Sequence, residues 1–253
     1  AALQGVSLTI NQGEFVAIVG ANGSGKSTLV NNLVGLLTPD KGSVIIDGRE
    51  PTKVKVSELA RNIGYVFQNP DQQLFTNFVS EEVGFSLKIA KTPEEELQRR
   101  VKETLEIVGL TDYADRHPFS LSRGQRQKLA VATALVRNPR IMLLDEPTTG
   151  QDRRSLSGLL DMMDRLNTQG TTTIMVTHDM DIVAAYASRV IVMSDGQIVM
   201  DGRPEDIFYN NFDELARLRL RPPTVVDFCL RLQEYGFPRF LTGEAMVEYL
   251  EIL

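Results

Sequence analysis

The sequence predicts an α/β fold with a mainly parallel sheet, on three observations. Short apolar runs alternate along the chain with segments whose apolar residues fall at helical spacing. One run, Ile141-Met142-Leu143-Leu144-Asp145, stays apolar up to its last residue, as in a strand buried on both faces. A glycine-rich turn, Gly20-Ala21-Asn22-Gly23-Ser24-Gly25-Lys26-Ser27-Thr28, stands between a strand pattern and a helix pattern. To this core the reading adds an antiparallel β part near the N-terminus, an inserted helical block at about 79–137 and a C-terminal helical extension over 206–253.

Residues 3–19 read as two strands joined by the turn Asn11-Gln12-Gly13, and Leu29–Leu37 as a helix. Thr38-Pro39-Asp40-Lys41-Gly42 carries a turn signature. Ser43–Gly48 reads as a strand, and Ile63–Gln68 as another that leads into the polar loop Asn69–Gln73. Thr92-Pro93-Glu94-Glu95-Glu96 signals a helix start, with a capping hydroxyl, Pro at the first position and acids in the first turn. The charges from Glu94 to Lys102 read as a solvated face. Ser122–Leu135 is the next helix, stopped by Asn138-Pro139. Beyond the apolar strand come a helix over 153–168, a strand over 172–177 and a helix over 179–187. A hairpin over 189–200 pivots on Asp195-Gly196. The extension is hinged at Arg221-Pro222-Pro223.

With 253 residues the chain makes one large domain, or one domain with an appendage. A net charge of −6 disfavours a nucleic-acid partner held by bulk electrostatics. The single cysteine, Cys229, excludes an internal disulfide and reads as packing. No apolar run approaches the ~20 residues of a membrane span, and no signal-peptide pattern opens the chain. The first residue is not Met and lies inside an apparent element, so a processed or trimmed start is expected.

The turn at Gly20–Thr28 fits the phosphate-loop pattern G-x-x-x-x-G-K-[ST], in the strand–turn–helix context it needs. Glycines let the backbone approach phosphate oxygens with no Cβ in the way. The N–H groups and the helix N-terminus favour negative charge. Gly20, Ala21, Asn22, Gly23, Ser24, Gly25, Lys26, Ser27 and Thr28 are therefore the expected phosphate binders, with Lys26 on the β- and γ-phosphates and the Ser27 hydroxyl on Mg²⁺. At the end of the apolar strand, Asp145 suits the Mg²⁺ shell and Glu146 suits polarising a water.

Leu121-Ser122-Arg123-Gly124-Gln125 opens a helix. Here the chain resembles the ATP-binding cassette family, whose signature usually reads LSGGQ. The resemblance covers residues 3 to about 205 and runs in order. The phosphate loop comes first, then Gln68 as the glutamine of the Q-loop, Leu121–Gln125 as the signature, and Asp145 with Glu146. Thr148-Thr149-Gly150-Gln151-Asp152 follows as the D-loop, and His178 as the switch histidine. It implies a P-loop NTPase (RecA-like) core that takes ATP and Mg²⁺, with Glu146, His178 and Gln68 catalytic and with Ser27, Gln68 and Asp145 on the metal. It also implies that Ser122, Arg123, Gly124, Gln125 and Asp152 meet nucleotide, the signature doing so on the other subunit of a head-to-tail dimer. Arg123 replaces the usual glycine; it either adds charge near the phosphate or points to solvent, and crowding favours solvent. The family stacks adenine on an upstream aromatic, and residues 1–14 hold none.

Phe67–Phe75 and the tail around Arg221–Val226 and Leu232–Gly236 are similar to the ATPases of energy-coupling factor transporters, importers of vitamins and transition metals. This resemblance implies a nucleotide-binding domain over 1–205. The many apolar residues of 206–253, with no catalytic pattern among them, assign that extension to association, either folding against the core or meeting the same segment of a second ATPase as a dimerisation element. The implied partners are a second ATPase subunit, identical or a sister, a transmembrane coupling subunit and a substrate-binding membrane subunit. It places the chain peripherally on the cytoplasmic face of the cell membrane. Another importer class, or a soluble non-transport cassette ATPase, is the alternative. Leu74, Phe75, Phe78, Val79, Val83 and Phe85 are candidates for the partner groove, or else plain core.

Overall fold

The computed structural model describes residues 2–148 and 153–252. In chain order the elements are β1 (Phe15–Val19), α1 (Lys26–Leu33), α2 (Val56–Asn62), β2 (Ile63–Val66), α3 (Val79–Ile89), α4 (Glu94–Val108), α5 (Arg123–Leu135) and β3 (Ile141–Asp145). Then follow α6 (Arg153–Thr168), β4 (Thr172–Val176), α7 (Met180–Tyr186), β5 (Arg189–Ser194), β6 (Gln197–Gly202), α8 (Pro204–Asn210), α9 (Phe212–Arg217), α10 (Thr224–Arg231) and α11 (Gly243–Ile252). The chain divides into two compact units, one of residues 1–10, 14–29 and 176–253, the other of 11–13 and 30–175.

In the first unit β1 pairs parallel with β5, Val16 opposite Arg189 and Val19 opposite Val192. All five residues of β1 are buried, as its unbroken apolar run requires. β5 and β6 run antiparallel. Their turn residues Asp195 and Gly196 have φ of 49° and 77°, the pair of positive values that suits the twist of a two-residue hairpin. Ala17, Val19, Val190 and Val192 share one core with Phe208, Leu215, Val226 and Cys229. The C-terminal extension thus supplies part of the wall of this unit, and Cys229 is a packing residue.

In the second unit β2 and β3 pair parallel, Tyr65 opposite Leu143 and Val66 opposite Leu144, with β4 on the far side of β3. The helical block forms as α3, α4 and α5. On α4, Arg99 bridges Glu96 at 2.8 Å and Glu103 at 2.7 Å on an exposed face, as the charge pattern predicts.

Three expectations are corrected. Residues 3–10 form no strand. Gln4 N–H donates to Gly196 O and Arg189 donates to Thr9 O, but a strand needs a continuous row of such partners. Residues 43–48 form only one bridge, Ile46 to Arg49, around a hairpin turn at Asp47 and Gly48; Ile45 stays 65% exposed, so no apolar face anchors a longer ladder. Among the described residues the antiparallel pairing of named strands therefore lies in β5–β6 and not near the N-terminus. Finally, α4 starts at Glu94 with Pro93 as its cap and no side-chain bond there. The N–H of Thr92 donates instead to Leu87 O and closes α3.

Candidate functional site

The phosphate loop lies in the first unit, between β1 and α1. A Cβ on Gly20 would lie 2.3 Å from Met193 O, and one on Gly25 2.9 Å from Ala2 O, so both positions exclude a side chain. Gly196 N–H donates to Ser24 O at 3.0 Å, so the β5–β6 turn braces the loop from outside. Lys26 is 7% exposed. Its ammonium donates to Gly20 O at 2.7 Å, to Ala21 O at 2.9 Å and to Ser24 Oγ at 3.4 Å, so its charge is held over the loop by the loop itself. Ser27 is exposed and Thr28 half-buried at the start of α1. His178, exposed, stands two residues beyond β4. It is bracketed by Thr177, whose N–H donates to Ile18 O, and by Asp179, whose carboxylate accepts from Asp181 and Ile182 N–H and caps α7.

The acids lie in the second unit. The parallel register brings the ends of β2 and β3 side by side. Gln68 Nε2 donates to Glu146 Oε2 at 2.9 Å, and Tyr65 O–H donates to Asp145 Oδ2 at 3.3 Å. Burial first, and then the Asp145 carboxylate, push the Tyr65 phenol well above its ordinary range, so it remains a donor at neutral pH. Glu146 has φ 44°, which is uncommon for a side-chain residue and turns the chain sharply after Asp145.

At the start of α5 the Ser122 Oγ accepts from Gln125 N–H at 3.3 Å while Gln125 Oε1 accepts from Ser122 N–H at 2.9 Å. This capping box fixes where the helix begins. Arg123 is exposed, and with Arg126 it lines a cavity of about 280 Å³ shared with Gln68, Asn69, Pro70 and Asp71. The second unit thus brings Gln68 and Glu146 into contact and sets Arg123 beside the Gln68 loop. Asp152, with Thr149–Gln151, lies outside the described residues. Of the six groove candidates, Leu74, Val79 and Val83 are core, whereas Phe75, Phe78 and Phe85 are exposed. Phe75 and Phe85 meet edge to face and border a cavity of about 540 Å³ between α3 and α4.

Sequence reading missed Tyr65, because a tyrosine in a strand reads as packing. It also missed the Arg126–Asp71 ion pair at 2.6 Å, whose partners lie 55 residues apart, and the bracing role of Gly196.

The residues fit a nucleoside triphosphate with Mg²⁺. In the first unit the loop wall at Gly20 and Gly25 has no room for side chains, one buried ammonium serves it, and Ser27 offers a hard oxygen donor; in the second unit Asp145 offers a carboxylate. The family model described as ABC transporter matches residues 3–149. The chain belongs to the ABC transporter family. A relative from Methanosarcina mazei is 45% identical over 98% of this chain and 42% of its own length. The chain likewise spans about two fifths of two further curated relatives. The energy-coupling factor transporter ATP-binding protein EcfA of Methanothermobacter thermautotrophicus is 40% identical over 93% of this chain and 76% of its own length. Among solved structures, cbiO1 from Clostridium perfringens, described as part of the ABC transporter complex cbiONQ, superposes with a TM-score of 0.77 at 36% identity, covering 87% of this chain and 88% of that one.

Proposed function

We propose that this chain is the ATP-hydrolysing subunit of a membrane importer of the energy-coupling factor type. The observation that carries the hydrolytic part is the Gln68–Glu146 hydrogen bond at 2.9 Å. It holds one Glu146 oxygen with an amide and so fixes the direction in which the carboxylate points. Glu146 then takes the proton of the attacking water, and Gln68 sets its orientation. Lys26 binds phosphate oxygens through charge-assisted hydrogen bonds, together with the loop N–H groups. Ser27 and Asp145 would hold Mg²⁺, which when bound neutralises charge developing on the phosphates. Tyr65 steadies Asp145, and His178 meets the γ-phosphate from the end of β4. Ser122 and the start of α5 offer donors to a nucleotide on a second copy or sister subunit, so ATP closes a head-to-tail pair and hydrolysis reopens it. The exposed Phe75 and Phe85 face a transmembrane coupling subunit, and a separate membrane subunit selects a vitamin or transition-metal ion. The chain sits peripherally at the cytoplasmic face of the membrane; among the described residues no helix is long and apolar enough to cross one. Val247, Leu250 and Ile252 stay exposed on α11 and are the tail positions that would join two ATPase subunits.

Support for the importer type comes from the EcfA relative and from the cbiO1 likeness. Affinity purification of the chain from native membrane, with partners identified by mass and turnover measured in the eluate, tests it. An ATPase-active complex containing a membrane subunit is the expected result. Recovery with ribosomes or DNA, and no membrane protein, contradicts it.

A further inference from the structure

We propose that Arg126 is a positioning residue that ties the signature turn to the Gln68 loop, so that an anion bound at the start of α5 is felt at Gln68 and, through it, at Glu146. The inference rests on the ATPase reading above and deepens it. Arg126 spends its guanidinium on two elements at once. Its Nη1 donates to Leu121 O at 2.6 Å, the carbonyl just before Ser122, and its Nε donates to Asp71 Oδ1 at 2.6 Å. Asp71 is only three residues past Gln68, on a short 3-10 turn capped by Asn69, whose Oδ1 accepts from Asp71 N–H at 3.1 Å.

The same turn is tied to α5 a second time. Gln73 Nε2 donates to Ala130 O at 2.9 Å and to Thr133 Oγ1 at 2.6 Å, while Gln73 Oε1 accepts from Phe67 N–H at 3.3 Å. Gln73 thus holds the residue on the other side of Gln68. The loop that carries Gln68 is hung on α5 at both ends, by Gln73 near the helix middle and by Arg126 at its first turn.

Stability alone does not explain the Arg126 bond. The side chains of Arg126 and Asp71 are 20% and 41% exposed, and ion pairs so wetted contribute little to folding. What the pair does fix is distance and angle between the Leu121–Ser122 turn and the Gln68 loop, and the loop borders the cavity of about 280 Å³ together with Arg123 and Arg126. A shift at the helix start moves Asp71 directly, because a guanidinium shared between a carbonyl and a carboxylate has little slack.

The chain has no tryptophan, so Phe67→Trp, next to Gln68, gives a single emission signal from the loop in the full-length protein. In that background, MgATP is added to four variants: unsubstituted, Arg126→Gln, Asp71→Asn, and the charge swap Asp71→Arg with Arg126→Asp. The expected result is that Arg126→Gln and Asp71→Asn keep KM within about twofold, lower kcat roughly 10- to 10²-fold and suppress the emission change. The swap restores the ion pair but not the bond to Leu121 O, so it recovers only a small part of either. Unaltered kcat and emission response in Asp71→Asn, which leaves the Leu121 contact in place, overturns the link. So does an equal loss in all three variants accompanied by a lowered melting temperature, since that is a purely structural role. If the unsubstituted protein turns over no ATP yet its emission responds to MgATP, the ATPase reading fails alone and the emission comparison still decides the link. If ATP gives no response in the unsubstituted protein, both fall.

Discussion

The phosphate loop and the acid end of β3 are built in opposite ways. The loop is made of consecutive residues, Gly20 to Thr28, and most of its geometry is backbone. Its lysine bonds to carbonyls five and six residues back in the chain. The acid end is made of side chains from two strands, and its central bond joins residues 78 apart. A backbone site is intolerant of added atoms, because main-chain atoms such as Met193 O and Gly196 N–H close in on it. A side-chain site tolerates small losses one by one, because each acid has its own donor: Gln68 for Glu146 and Tyr65 for Asp145.

Substitutions sharpen that contrast. Gly20→Ala has the largest expected effect on folding and binding. Its Cβ meets the Met193 carbonyl at 2.3 Å, a backbone atom that cannot rotate away. Overpacking of this kind costs about 1–3 kcal/mol or more, so a lowered melting temperature together with lost ATP binding is expected by thermal melts and calorimetry. A Gly20→Ala protein that melts and binds as before breaks the claim that the loop is a backbone site. Lys26→Ala comes next. It removes a charge-assisted contact worth about 1.5–3 kcal/mol, so ATP affinity falls roughly 10- to 10²-fold with the fold intact.

Tyr65→Phe is milder. It deletes one hydroxyl and keeps the ring, for a loss of about 0.5–1.5 kcal/mol at Asp145. A few-fold lower kcat and a higher Mg²⁺ concentration for half-maximal turnover are expected; a loss as large as that of Lys26→Ala erases the distinction between the two regions. Arg99→Ala is the control at the small end. Its guanidinium is held by Glu96 and Glu103 on an exposed helix face, and turnover and melting temperature should not move measurably.

How much was legible in the sequence follows the same division. The loop, β1, β3, the hairpin at Asp195-Gly196 and the start of α5 were readable because each is specified by neighbours: a glycine pattern, an apolar run, a turn pair, a capping box. Tyr65 and the Arg126–Asp71 pair were not, because their meaning depends on which strand lies beside β2 and on how α5 crosses the Gln68 loop. The N-terminal strands failed for a related reason. Residues 3–10 and 43–48 have local strand character but find no continuous partner, and pairing is a property of two segments. The sequence marks the tail as associating, with its own core or with a second ATPase; Phe208, Leu215 and Val226 are buried with Val190 and Val192, the first of those arrangements, and no local pattern announces which face a helix will cover.

The central claim is that Glu146, held by Gln68, is the base that makes this cassette hydrolytic. Single-turnover hydrolysis of MgATP by Glu146→Gln tests it most directly, because the substitution keeps size and the possibility of a Gln68 contact while removing the base. The account predicts a loss of roughly 10²–10⁴-fold in the hydrolysis step with ATP still bound. Hydrolysis at a near-normal rate in Glu146→Gln contradicts it.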